Sequence, residues 1–145
     1  MKAFLKRLPE QATILVDSAP LIYWLEDHPL AKRFTPLFAA VDEGRFGLAI
    51  TAVTLAEVLG GPVRAGKEAL AQRYVAALSP EHGIEVLPID AAIALPLARL
   101  RHRYGLKTPD ACQLAAALHH GCAGLVTHDR DFKGVDELPI HCPGR

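Results

Sequence analysis

The stretch ATILVDSAPLIYWL, residues 12–25, joins a short apolar run to a single acid and then to a helical pattern. Residues 12–16 are mostly apolar or β-branched, which predicts a buried β-strand. Asp17 follows this strand directly, Ser18 is a suitable N-cap for the next helix, and Pro20 is tolerated in the first turn of that helix. A strand that leads straight into a helix is the repeating unit of α/β folds, so this stretch predicts an α/β protein.

The same alternation of strand and helix continues along the rest of the chain. The predicted strands cover residues 46–51, 84–89 and 124–127, with a short edge strand at 138–141. The predicted helices cover residues 29–43 before Gly44, 53–59 before a stop at Gly60-Gly61-Pro62, 67–78, 90–104 with a kink at Pro96, and 108–120 with Thr108 as N-cap and Pro109 at the first position. This order favours a mostly parallel sheet in a three-layer α/β/α sandwich.

The composition sets limits on the class of protein. The 145 residues are 50% hydrophobic and 22% charged, which is typical of one globular domain spanning residues 1–145. Because 16 basic residues balance 16 acidic ones, overall charge does not support a nucleic-acid partner, which would need a local basic patch. Three cysteines, no secretory signal and no apolar run near the roughly 18 residues of a membrane span predict a soluble, cytoplasmic protein without membrane contact.

Four acids stand alone in apolar surroundings. Asp17 is the only charged residue between positions 11 and 25, and Glu57 and Asp110 are equally isolated, while Asp129 follows the fourth strand. Carboxyl ends of parallel strands meet at one edge of a sheet, so we expect these four side chains to converge there. Converging carboxylates repel one another, and a divalent cation relieves that repulsion. Ligation by oxygen alone selects Mg²⁺ or Mn²⁺ over zinc.

Each acid also has an ordinary structural interpretation. Asp17 could cap a helix, Glu57 could occupy an exposed helix face, and Asp110 could favour the helix dipole. Asp129 could be a turn residue. Four acids with purely structural roles would rarely all lie at one edge of the sheet. The prediction of a metal site therefore rests on the four acids together and not on any one of them.

Polar neighbours of the acids are predicted to support the site. Hydroxyl groups near the strand ends could orient carboxylates or waters, with ordinary strand and cap chemistry as the alternative; they belong to Ser18, Thr51, Thr54 and Thr127. Cations near the acids could contact RNA phosphates, with a solvated helix face as the alternative; they are Arg103, Lys107, Arg130 and Lys133. Tyr23 and Trp24 could stack on a base, although packing in the core or in a dimer explains them as well.

The four acids lie in segments that resemble the PIN domain. They read ILVDSAPLIYWL with Asp17, ITAVTLAEVLGG with Glu57, LKTPDACQLAAAL with Asp110, and LVTHDRDF with Asp129. Within that family the chain is similar to VapC-type toxins of bacterial and archaeal toxin–antitoxin modules. The resemblance covers a core of about residues 13–141, so the N-terminal dozen residues precede the usual start of the family.

This resemblance implies a five-stranded parallel sheet and a Mg²⁺- or Mn²⁺-dependent endoribonuclease. The four acids would be the catalytic and metal-binding residues, and Asp131 would be a secondary ligand or an alternative to Asp129. Hydrolysis in the family leaves a 5′-phosphate and a 3′-hydroxyl. The resemblance also implies a homodimer and a protein antitoxin that covers the acidic pocket.

Three alternatives remain open at this point. The first keeps the nuclease but makes it a housekeeping enzyme of RNA maturation, and the second is a non-catalytic PIN-fold binding module. The third is a phosphatase with Asp17 as nucleophile, although Ala19 occupies the place where that chemistry usually has a second Asp. A zinc site is disfavoured because the seven histidines show no metal-ligand spacing.

Overall fold

The computed structural model describes residues 1–143 and contains one sheet of five strands. All neighbouring strands are parallel, in the order β3-β2-β1-β4-β5. The strands are β1 (Thr13–Val16), β2 (Gly47–Thr51), β3 (Ile84–Leu87), β4 (Gly124–Val126) and β5 (Ile140–His141). The first strand is central, since Ile14 lies opposite Leu48 on one side and Gly124 on the other. The predicted parallel α/β sheet is therefore confirmed, including the short edge strand.

Seven α-helices connect and cover these strands. They are α1 (Lys2–Leu5), α2 (Ser18–Leu25), α3 (Thr35–Asp42), α4 (Ala52–Arg64), α5 (Glu68–Ala77), α6 (Ala94–Tyr104) and α7 (Thr108–His119). Short 3₁₀ helices lie at Pro29–Arg33, Pro80–His82, Ala91–Ile93 and Arg130–Phe132. Within residues 1–143, no helix has the length and hydropathy needed to cross a bilayer.

The two faces of the sheet bury two separate hydrophobic cores. Successive side chains of a strand point to opposite faces, so Ile14 and Val16 join one core while Leu15 joins the other. Helices α1 to α5 pack on the first face, and α6 and α7 pack on the second. This arrangement confirms the three-layer sandwich, and it explains why the strands are apolar on both faces.

Two predicted helix starts are wrong by one residue. Asp17 is the N-cap of α2, because its carboxylate accepts the Ser18 backbone N–H at 2.7 Å, and Ser18 is the first helical residue. Lys107 occupies the N-cap position of α7, so Thr108 is the first helical residue and caps nothing. Both shifts matter for the site, because they give Asp17 a structural role and place Asp110 in the first turn of α7.

The predicted stop at Gly60-Gly61-Pro62 is wrong, since α4 continues through it to Arg64. Pro62 lacks the N–H that would bond to the preceding turn, which normally breaks a helix. Here Thr54, Val58 and Pro62 are all buried at a spacing of four residues, so Pro62 extends the face that packs on the core. Burial of that face outweighs the local penalty, as tertiary packing commonly does.

The predicted kinked helix at residues 90–104 is also wrong. Residues Ala91–Ile93 form a 3₁₀ turn, and α6 begins at Ala94. Pro96 therefore lies in the first turn of α6, where a missing backbone N–H costs no intrahelical bond. The preceding strand β3 ends at Leu87, two residues earlier than predicted.

The sequence pattern did not predict α1. Its Phe4 is buried and lies over β4, where Gly124 leaves room for the ring: a Cβ atom at position 124 would approach the Phe4 ring to 2.7 Å. The Phe4 ring also contacts the ring of His141 in β5, with 5.4 Å between centroids. The N-terminal segment is therefore part of the first core.

Candidate active site

The four isolated acids line one cavity at the carboxyl end of the sheet. Asp17 comes from the end of β1, Glu57 from α4, Asp110 from α7 and Asp129 from the loop after β4. The cavity has a volume of about 180 Å³. Its remaining wall consists of Ser18, Ala19, Tyr23 and His128. The fold thus brings together side chains that lie far apart in the sequence.

Asp17 is the most buried of the four acids. Besides the Ser18 backbone N–H, its carboxylate accepts a 2.8 Å hydrogen bond from the Thr127 hydroxyl. Burial raises the pKa of Asp17 above its ordinary value, and the charges of Glu57 and Asp129 add to this effect. The two hydrogen bonds act in the opposite direction and fix the orientation of the carboxylate.

Asp110 lies in the first turn of α7 and has a clearly raised pKa. Its pKa rises from an ordinary value of 3.8 to about 6, and loss of hydration on burial is the largest cause. The neighbouring carboxylates of Asp129, Asp17 and Asp131 contribute to the same rise, and Lys107 opposes it. The pKa of this carboxyl group therefore reflects burial first and nearby negative charge second.

Ser18 and Thr127 contact the acids directly. The Ser18 hydroxyl donates to a Glu57 carboxylate oxygen at 2.7 Å, which holds the exposed Glu57 side chain toward the cavity. The Thr127 hydroxyl accepts the Asp129 backbone N–H at 2.9 Å while it donates to Asp17. Thr127 thereby links the loop that carries Asp129 to the central acid Asp17.

Asp129 and Asp131 differ in their surroundings. The Asp129 carboxylate caps the 3₁₀ turn Arg130–Phe132 by accepting the Asp131 backbone N–H at 2.9 Å, and it lines the cavity. Asp131 is exposed and forms an ion pair with Lys107 at 3.6 Å. Both nevertheless offer a carboxylate oxygen to a cluster with Asp110, in which the three oxygens lie within 4.8 Å of one another.

A buried polar network lies beneath the acids, and sequence reasoning missed its central residue, Gln113. The Gln113 amide donates to the Thr54 hydroxyl and lies 3.5 Å from an Asp17 carboxylate oxygen, while its carbonyl oxygen accepts from the Thr51 hydroxyl at 3.1 Å. Among the hydrogen bonds of residues 1–143, the Thr51 and Thr54 hydroxyl groups bond to Gln113 and not to an acid. Its position was a usable signal, because a lone polar residue three places after Asp110 shares that acid's side of the helix.

Tyr23 and His128 form part of the wall of the acidic cavity. The Tyr23 hydroxyl and His128 Nδ1 are 2.9 Å apart, and Tyr23 also stacks on His28 with 4.9 Å between centroids. Tyr23 thus belongs to the cavity wall as well as to the packing around α2. Trp24 points elsewhere and stacks on Phe38, with 45% of its surface exposed.

The four cations predicted to contact phosphates fall into two groups. Arg103 pairs with Glu137 at 2.5 Å and with Asp136 at 3.7 Å, and Lys107 pairs with Asp131. Neither of these two lines the acidic cavity. Arg130 and Lys133 line a second cavity, whose wall includes Asp129.

The acidic cluster fits a hard divalent cation. Opposite ligands of an octahedral ion with bonds of about 2.1 Å are roughly 4.2 Å apart, which is comparable with the separations in this cluster. Three neighbouring carboxylates add to the raised pKa of Asp110, and Lys107 opposes them with a smaller effect, so the cluster retains negative charge for an ion to balance. An ion held by oxygen ligands alone would supply that balance, as expected for Mg²⁺ or Mn²⁺.

Comparison with known proteins points to one family. The chain matches the PIN domain over residues 14–138. Among solved structures, a toxin–antitoxin complex from Klebsiella pneumoniae is 29% identical with a TM-score of 0.67, covering 86% of this chain and 94% of that chain. VapBC2 from Rickettsia felis, bound to a promoter DNA fragment, is 19% identical with a TM-score of 0.71, covering 90% and 98%.

A third similar structure is VapC20 from Mycobacterium tuberculosis, described as a toxin that cleaves the sarcin–ricin loop. It is 18% identical with a TM-score of 0.63, covering 87% of this chain and 98% of that chain. No curated protein sequence matches the chain. The matched range contains all four acids of the cavity, and the fold of this chain matches that of the solved neighbours over most of the chain. The chain belongs to the PIN domain family.

Proposed function

We propose that this protein is a Mg²⁺- or Mn²⁺-dependent endoribonuclease that hydrolyses phosphodiester bonds. The observation that carries the proposal is the convergence of Asp17, Glu57, Asp110 and Asp129 on one cavity, together with the raised pKa of Asp110. Four converging carboxylates are well suited to binding a divalent cation, whereas a nucleophilic or cofactor-dependent mechanism does not need so many. Residues 1–145 would act as a single nuclease domain with its core at about 13–141.

Within this proposal, four acids of the cavity hold the ion, namely Asp17, Glu57, Asp110 and Asp129. Asp131 is a secondary ligand, since its carboxylate oxygen clusters with those of Asp110 and Asp129. The ion, when bound, neutralises phosphate charge and makes a coordinated water more acidic. Thr127 and the Ser18 backbone N–H keep the Asp17 carboxylate in place, and Ser18 keeps Glu57 directed inward. A carboxylate of the set that is not needed for charge balance can accept the proton of the attacking water.

A role as the toxin of a VapBC-type pair is the best supported biological setting. The similarity of 29% to a toxin–antitoxin complex over 86% of this chain supports an antitoxin partner. The acidic cavity offers such a partner a site for an Arg or Lys side chain, which could replace the charge of the metal. We also propose a homodimer, by analogy with the family. A housekeeping PIN nuclease is the alternative, and a non-catalytic binding module is the weakest one.

The enzymatic proposal is tested with purified full-length protein and a labelled single-stranded RNA. We expect cleavage with Mg²⁺ or Mn²⁺ and none after chelation. Loss of a residue that only supports a metal ligand commonly costs about 10–100-fold in activity. Because Asp110 is itself a proposed ligand, Asp110→Asn should lower the cleavage rate by about 100-fold or more. Asp42→Asn, on α3 and away from the cavity, is the matched control and should retain full activity.

The toxin assignment needs a separate experiment. Expression of the wild-type chain alone should arrest bacterial growth, while Asp110→Asn at the same protein level should not. Normal growth with soluble, RNA-cleaving wild-type protein would count against the toxin role and leave the nuclease intact. Equal arrest by both proteins would count against RNA cleavage as the cause.

A further inference from the structure

A second cavity lies beside the acidic one and shares Asp129 with it. Its volume is about 350 Å³, which falls in the range of roughly 300–1,000 Å³ typical of small-molecule sites. The loop and 3₁₀ turn after β4 form one wall, and the end of β5 with the segment beyond it forms the other. Because Asp129 lines both cavities, they are neighbouring sites on the molecule.

The walls of this second cavity combine apolar surface with positive charge. Phe132 is buried and, with Val135 and Ile140, supplies apolar lining. Arg130 and Lys133 are exposed and lie on the same wall. Such a combination suits a flat, apolar group that carries an adjacent anion.

The two cations of this cavity differ from the other two cations that the sequence placed near the acids. Arg103 and Lys107 form ion pairs with acids of the protein itself. Among residues 1–143, no ion pair includes Arg130 or Lys133. As far as the described part of the chain extends, the positive charge of the second cavity therefore has no acidic partner within the protein.

We propose that this second cavity binds the nucleotide next to the scissile phosphate and selects its base. The base lies against Phe132, Val135 and Ile140, and its own phosphate is held by Arg130 and Lys133. This inference rests on the proposed nuclease function and deepens it by naming a specificity site. Single-stranded RNA suits such a site, because its bases can be splayed out and read individually in a pocket.

The direct test measures binding of nucleotides to the full chain without metal. The probes are AMP, GMP, CMP and UMP, each compared with its nucleoside, in buffer containing a chelator. Val135→Phe fills the cavity and should weaken binding of the preferred nucleotide and of its nucleoside by 10-fold or more. Lys133→Ala, at an exposed position, should weaken the nucleotide and leave the nucleoside unchanged. Val75→Phe on α5 is the matched control and should change neither.

Several results would overturn the proposal. They are an absence of binding by all four nucleotides at millimolar concentration, equal binding by wild type and Val135→Phe, and equal binding by wild type and Lys133→Ala. The Lys133→Ala comparison remains decisive if Val135→Phe does not fold, because removal of an exposed lysine side chain leaves the core intact.

Cleavage of an RNA with randomised sequence separates this inference from the nuclease proposal. Wild type and Val75→Phe should share a base preference at one position flanking the cut, and Val135→Phe should lose or change it. Cleavage with the same preference in all three proteins would refute the specificity site while the nuclease stands. A wild-type protein that cuts no RNA, yet binds nucleotides as expected, would refute the nuclease and retain a nucleotide site.

Discussion

Asp17 illustrates how one side chain combines local structure with chemistry. Its carboxylate closes the N-terminus of α2, accepts a hydrogen bond from Thr127, and lies in the acidic cavity. Asp17 is therefore both the N-cap of α2 and a residue of the acidic cavity, and one role does not exclude the other. A carboxylate at a helix N-terminus is stabilised by the backbone N–H groups, and this fixes its position before any ligand binds.

The raised pKa of Asp110 predicts a pH-dependent penalty in the metal-free protein. The folded state has a pKa of about 6 and the unfolded state an ordinary value near 3.8, so the folded state binds this proton more tightly. The stability that protonated Asp110 contributes is therefore fully present below about pH 4 and is lost as the pH rises through about 6. With allowance for screening by water, Asp110→Asn should raise the free energy of unfolding by about 1–2 kcal/mol at pH 8.

Chemical denaturation of both proteins at pH 4 and pH 8, with a chelator, measures this difference. We expect nearly equal stability at pH 4 and the more stable variant at pH 8. Adding Mg²⁺ at about 100 times its Kd should stabilise wild type by about 2.7 kcal/mol and leave Asp110→Asn nearly unchanged. A variant that is no more stable than wild type at pH 8 would show that the carboxylates do not strain the fold.

Gln113 is predicted to position the acids from below. In Gln113→Leu, Thr51 and Thr54 lose a buried partner, which should cost about 1–3 kcal/mol of unfolding free energy. Because Asp17 then loses a neighbouring donor, the Mg²⁺ concentration that gives half-maximal activity should rise by about 10-fold or more. Gln72→Leu on α5, where Gln72 is exposed, is the control.

The two readouts distinguish positioning from general stability. A purely structural role would lower the unfolding free energy and leave the Mg²⁺ dependence of the folded protein unchanged. Gln113→Glu keeps an acceptor for Thr51 but buries a carboxyl group beside Asp17, so it should lower the unfolding free energy more at pH 8 than at pH 4.

The sequence alone predicted which acids form the site, but it did not predict the buried hydrogen-bond network around Gln113. Asp17, Glu57 and Asp110 are visible in the sequence because a lone charge in an apolar segment needs a compensating partner. Gln113 carries no charge, and its two hydroxyl partners lie about sixty residues away. Such a contact depends on the packing of α7 against β2 and α4, which local pattern does not contain.

At the scale of elements, α4 shows where local propensity fails. Gly61 lies inside this helix in open space, since a Cβ atom there would meet no other group within 4 Å. Alanine restricts the unfolded chain more than glycine does, so Gly61→Ala should stabilise the protein by about 0.5–1 kcal/mol. Thermal or urea denaturation measures this change.

Gly44 provides the contrasting substitution. It also has open space around it, but its φ of +73° lies in the left-handed region that a Cβ atom disfavours. Gly44→Ala should therefore destabilise by about 1–2 kcal/mol. If both alanine variants change stability in the same direction, backbone conformation does not govern these positions.

The types of the elements followed from the sequence, but several boundaries did not. The short apolar, β-branched run of β1 predicts a buried strand, and the Thr-Pro start and Ala-rich composition of α7 predict a helix. Helix ends depend on single hydrogen bonds, and this is why Ser18 and Thr108 were misplaced as caps. The stop predicted before Pro62 failed because burial of one helix face outweighed a local preference.

At the scale of the whole molecule, the N-terminal segment closes one side of the sandwich. Phe4 from α1 fills the space left by Gly124 and touches β5 through His141. Removal of a buried phenylalanine leaves a cavity in the core, so Phe4→Ala should cost about 3–5 kcal/mol of unfolding free energy. Urea denaturation measures the loss, and Lys2→Ala at an exposed position of the same helix should stay within about 0.5 kcal/mol. A loss below about 1 kcal/mol for Phe4→Ala would mean that α1 is dispensable for the fold.

The order of the strands also determines when, during translation, the acidic cavity can first form. The central strand β1 is made early, but its neighbour β4 and the loop with Asp129 are made near the end. A nascent chain therefore carries an incomplete set of carboxylates until the ribosome has almost finished it. Under the proposed function, the chain therefore gains its capacity to bind the metal and cut RNA only when its synthesis is nearly over.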